Sequence, residues 1–103
     1  MREVTVFATD GPMDIEVHGY DDEGNDRGPV GNGWNFTDFA TDPASPEIFT
    51  AADEGHGSIT IDPGAPVGYG ERILSFNGHA GDGPNVPGSI KITVLPGTVS
   101  SLG

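Results

Sequence analysis

Met13-Asp14-Ile15-Glu16-Val17-His18-Gly19-Tyr20 is the stretch that decides the fold of this chain. Apolar Met13, Ile15 and Val17 alternate with Asp14, Glu16 and His18. A period of two, with acids on the second face, describes a strand buried on one side and wet on the other. Upstream, Glu3 to Thr9 repeats the pattern through Val4, Val6 and Ala8, and Asp10-Gly11-Pro12 supplies the turn between the two.

Downstream, residues 21–33 read as a long polar loop, after which Trp34 and Phe36 open another strand. The alternation slips before Phe39, as a bulge would make it do. Further strands are predicted at Ser58 to Asp62, with Ile59 and Ile61 inward, at Glu71 to Asn77, with Leu74 and Phe76 inward, and at Ser89 to Leu95, with Ile90, Ile92 and Val94 inward. Between them, Ser45-Pro46-Glu47 has the Ser and Pro of a short helix start. Pro43 and Pro46 suit an edge strand over Glu47 to Ala52 equally, and that reading is preferred. About seven alternating strands in one chain of this length predict an all-β, antiparallel sandwich, with a jelly roll or small barrel as the alternative. Residues 1–95 form one domain in this reading, and 96–103 a tail.

Composition supports a folded β domain. Seventeen glycines and nine prolines punctuate runs rich in Val, Ile, Thr and Phe among the 103 residues, instead of gathering in one tract. The absence of cysteine rules out disulfides and thiolate metal sites. Sixteen acids against four bases give a formal charge of −12, which repels nucleic acids and anionic membranes and offers no basic stripe as a counterweight. The acidity reads as solubility. Met1 to Val6 runs into a strand without the apolar core of a signal peptide, and no apolar run reaches membrane-spanning length.

Motifs with chemistry are few. Asp21, Asp22 and Asp26 are the calcium candidates, because hard cations need converging carboxylates. Windows of EF-hand length from Asp21 or Asp22 nevertheless end on Asn32 and Gly33, where a bidentate Glu belongs, so a solvated loop is the preferred reading. His18, His56 and His79 are widely spaced and form no H-x-H pair. No nucleophile elbow accompanies Ser58, Ser75 or Ser89, and the Gly31-Asn32-Gly33 and Gly78–Gly83 stretches lack the lysine of a phosphate loop. Trp34, Tyr20 and Tyr69 are candidates for a sugar-stacking platform, although Trp34, two residues from Phe36, reads first as core. The expectation is a protein without catalytic residues or a required cofactor.

From Ser58 to Leu95 the chain resembles the closing strands of an immunoglobulin-like domain. Gly68-Tyr69-Gly70 before Glu71-Arg72-Ile73-Leu74-Ser75-Phe76 is similar to the approach to strand F, with its corner tyrosine. Val86-Pro87-Gly88-Ser89-Ile90-Lys91-Ile92-Thr93-Val94 is similar to strand G, and Trp34 to the strand C tryptophan. The cysteine pair of antibody domains is missing. Acidic, cysteine-free sandwiches of this kind resemble proteins that decorate bacteriophage heads or tails. The resemblance implies a structural, non-enzymatic protein at a virion surface, bound to a repetitive capsid or tail assembly and open to forming homo-oligomers. Pro96 to Gly103 would then be a docking arm that carries Val99 and Leu102 to the partner. A carbohydrate- or calcium-binding module is the alternative.

Overall fold

Alternating residues along the chain become two facing sheets. The structure, a computed structural model, describes residues 1–64, 68–97 and 102–103. Its strands are β1 (Glu3–Phe7), β2 (Met13–Glu16), β3 (His18–Tyr20), β4 (Asp26–Pro29), β5 (Trp34–Asp42), β6 (Thr50–Asp53), β7 (Ser58–Asp62), β8 (Gly70–Ala80) and β9 (Val86–Leu95). One sheet has the order β1-β9-β8-β5, a second the order β2-β7-β6, and β3 and β4 form a separate hairpin. The helical residues among those described are a single 3-10 turn, Ala8–Asp10.

The inward phases meet in one core. Val6, Leu74, Phe76, Ile90, Ile92 and Val94 of the four-stranded sheet pack with Ile15, Ile59 and Ile61 of the three-stranded one. Each such side chain contributes about 1.5–3 kcal/mol on leaving water. The all-β, sandwich-like arrangement agrees with the alternation in the sequence. So does the bulge: the β5–β8 register shifts between Thr37 and Ala40, and Asp38 there takes φ +59°. Asn77 Nδ2 donates to the Asp38 carboxylate at 3.1 Å, which gives the left-handed residue a local partner.

Several expectations are corrected. The sandwich is not wholly antiparallel, because β1 runs parallel to β9 with Glu3 opposite Lys91 and Phe7 opposite Leu95. A parallel pair needs a long crossover, and here the rest of the domain supplies it. The stretch 21–33 is not all loop, since β4 lies within it and pairs with β3. The Met13–Tyr20 run divides at Val17, whose amide leaves the β2 ladder and donates to the Gly57 carbonyl at 3.1 Å. The first strand stops at Phe7 rather than Thr9. No helix starts at Ser45. The edge strand does exist, shifted to Thr50–Asp53, because Ile48 and Phe49 are swallowed by the core on the approach to it.

That approach is held by Arg72, a buried cation on β8. Its guanidinium donates to the Pro46 carbonyl at 2.7 Å and to the Glu71 carbonyl at 2.8 Å. At the other end of the chain Gly97 closes on the 3-10 turn, where the Thr9 hydroxyl donates to its carbonyl. Of the two residues expected to dock a partner, Val99 lies outside the described residues and Leu102 is 91% exposed.

Candidate binding cleft

The β3–β4 hairpin is built almost entirely from polar contacts. The Asp21 carboxylate accepts the amides of Glu23 (3.0 Å) and Asn25 (2.9 Å), which folds the chain back on itself. Donation from the Asn25 amide, foremost, holds the Asp21 carboxyl below the usual carboxylate range. Asp26 accepts from His18 Nδ1 at 2.8 Å and from the Gly28 amide at 2.8 Å. The hydrogen bond from His18 is the main reason that its carboxyl is held low as well. Thus the calcium candidates Asp21 and Asp26 spend their oxygens on turn and ring donors, and Asp22 is exposed. Among the described residues no group of three or more His, Asp or Glu side chains could hold a metal ion.

The hairpin extends the line of β2 past the three-stranded sheet, and leaves a cleft of about 650 Å³ between itself and the ends of β5, β8 and β9. Phe36, Phe76 and Trp34 line one side, and Val17, Tyr20 and Val30 the other. Two glycines make the first side possible. Phe36 pairs directly with Gly78, and Phe76 with Gly88. A Cβ on Gly88 would lie 2.6 Å from the Phe76 ring, and one on Gly78 3.0 Å from Phe36. Without side chains there, each ring lies across its neighbouring strand, and the two rings meet edge to face at 5.7 Å.

Polar groups stand at the rim. His18, oriented by Asp26, lines the cleft together with Arg2, whose guanidinium also donates to the Glu16 carbonyl. Among the described residues the His18 ring bonds the Asp26 carboxylate through Nδ1. The arrangement suits binding of a flat or apolar group, with a few polar contacts to orient it.

The remaining sequence candidates do not join this site. His56 sits on Glu54 at 3.1 Å and His79 on the Gly81 carbonyl at 2.7 Å, each within its own turn. Tyr69 is 53% exposed and does not line the cleft, so it does not form a stacking platform there with Trp34. Trp34 and Tyr20 both line the cleft. Arg2, Gly78, Val86 and Gly88 were missed as site residues. A signal existed for the glycines: Gly78 follows Phe76, and Gly88 precedes Ile90, at the inward phase of each strand. No helix is long and apolar enough to cross a membrane among the described residues. No family model, no curated protein and no solved structure matches the chain.

Proposed function

We propose that the chain is a non-enzymatic binding module, an immunoglobulin-like domain that docks on a repetitive protein surface of the kind presented by a phage head or tail. The observation that carries the binding role is the loop end of the sandwich, where a polar-pinned hairpin holds an aromatic cleft open on a rigid scaffold. The sheet order supports the immunoglobulin-like reading. β2-β7-β6 follows the B-E-D order of that fold and β9-β8-β5 its G-F-C order, with β1 added along the G edge. The β3–β4 hairpin is then an insertion between strands B and C, at the end where such domains carry their recognition loops. The virion setting rests on resemblance in sequence character.

A second reading, carbohydrate binding, is favoured by one observation: Trp34 and Tyr20 line the same cleft. Co-sedimentation of the labelled chain with purified virions from the source culture tests the first reading. Saturable recruitment that survives added neutral oligosaccharides supports it. Absence from the particle fraction, together with quenching of the single tryptophan by an oligosaccharide, overturns it in favour of the second.

A further inference from the structure

We propose that β1 is a self-association edge, at which two copies of the chain join their four-stranded sheets through an antiparallel β1–β1 pair. Exposed strand edges invite such pairing, and most edges of this molecule are guarded. β5 is bent by its bulge at Asp38, and its Phe36 amide is taken by the Asp53 carboxylate. β6 is short and follows a proline-rich approach, β2 is short and follows Pro12, and β4 ends in Pro29. β1, Glu-Val-Thr-Val-Phe, has no proline, glycine, bulge or inward charge.

Its geometry fits a two-fold partner. The Lys91 amide donates to the Arg2 carbonyl, so in the parallel ladder the even-numbered residues of β1 face β9. Glu3 and Thr5 therefore turn both backbone groups outward, and Phe7 its amide. A two-fold axis at Thr5 sets Thr5 against Thr5 of the second copy as a hydrogen-bonded pair. It also sets Glu3 against the second copy's Phe7, whose amide donates to the Glu3 carbonyl. Val4 meets the second copy's Val6 on the inner face. No like charges are opposed across the pair, and Lys91 bridges Glu3 at 3.3 Å and Glu71 at 3.4 Å beside this edge. On a chain of charge −12, a lysine beside the edge lessens the repulsion that a second copy meets there.

A lone strand pair covers less than the roughly 1,000 Å² of a stable interface, so the dimer is weak in dilute solution and fills where copies are crowded together. The inference is independent of what the cleft binds. It is tested by sedimentation velocity up to about 1 mM protein, with three variants at β1 and a control. T5P removes only an outward amide, so a folded T5P stays monomeric where the wild type dimerises. T5E sets two carboxylates on the axis, and its dimer returns only in high salt. T5C cross-links on oxidation, because a hydrogen-bonded pair places its Cα atoms about 5.5 Å apart. A40C, on the opposite edge of the same sheet, does not. A wild type monomeric at every concentration, a folded T5P that still dimerises, or equal cross-linking of T5C and A40C overturns the proposal. Were T5P to misfold, the salt response of T5E decides.

Discussion

Two glycines in the β6–β7 turn separate the cost of a backbone conformation from the cost of a contact. Gly55 and Gly57 take similar positive φ angles, +99° and +86°. A Cβ on Gly55 meets nothing within 4 Å, whereas one on Gly57 would lie 2.2 Å from the Gly31 carbonyl oxygen and 2.7 Å from its carbon. Both alanine variants pay about 1–2 kcal/mol for the left-handed backbone. G57A must also move Gly31, a backbone neighbour with no side chain to swing aside, which adds about 1–3 kcal/mol. The same turn anchors the hairpin, since the Gly57 carbonyl accepts the Val17 amide. Urea unfolding of both variants, followed by tryptophan fluorescence, should place G57A about 1–3 kcal/mol below G55A. Each kcal/mol lowers the melting temperature by about 4–8 °C in a domain of this size. If the two agree within about 0.5 kcal/mol, the Gly57–Gly31 contact does not hold the loop end, and the account of the cleft fails with it.

R72A strips the Pro46 carbonyl of its donor and leaves a void where the buried side chain stood, so equilibrium unfolding should register a loss of about 2–4 kcal/mol. The hairpin should be acid-sensitive. The Asp26 carboxyl is held low in the fold, so its contribution is complete above the ordinary carboxylate range and is lost as pH falls through the folded value. The protection factor of the Gly28 amide, its exchange relative to the intrinsic rate at each pH, should fall over that interval, and D26N should abolish the response. Lys91 behaves in the opposite sense. Its ammonium is raised, chiefly by the hydrogen bond to Glu3 and then by Glu71, so its contribution is complete below the ordinary lysine range and is lost as pH rises through the folded value. The stability gap between the wild type and K91M should therefore close in alkali and shrink in high salt, both by thermal melts.

Strands whose inward phase is filled by branched or aromatic residues were legible in the sequence. Ile59 and Ile61, or Ile90, Ile92 and Val94, leave one face to bury and one way to bury it. The slip before Phe39 was legible for the same reason, since a broken phase in a buried strand needs an extra residue. What escaped was structure held by polar contacts. β4, Asp-Arg-Gly-Pro, has no apolar alternation, and exists because Asp21 closes the turn and Asp26 meets His18. Such pairings depend on residues that reveal no geometry in one dimension. Phe49 is the converse case: it is buried three residues after Pro46, whose carbonyl is bound by Arg72, a residue distant in sequence.

The cleft was less legible than the fold because a space is specified by what is missing. Trp34 and Tyr20 were readable as aromatic candidates, yet the cleft that both line is shaped by Gly78 and Gly88, which read as loop glycines beside Gly81 and Gly83. In the structure these two are in phase with Phe76 and Ile90, and they are sheet positions where a side chain would displace a ring. A core selected only for packing would gain from filling them, since glycine weakens a strand by about 0.5–1 kcal/mol relative to alanine. Keeping two of them opposite two phenylalanines leaves room for the rings to meet edge to face, and that shapes one side of the cleft. The other side is a hairpin held by a carboxylate and a ring nitrogen, and joined to the core through Val17 and Val30. Aromatic rings on a sheet, facing apolar side chains on a hairpin whose turns are held by polar contacts, give the mixed lining that suits a binding cleft.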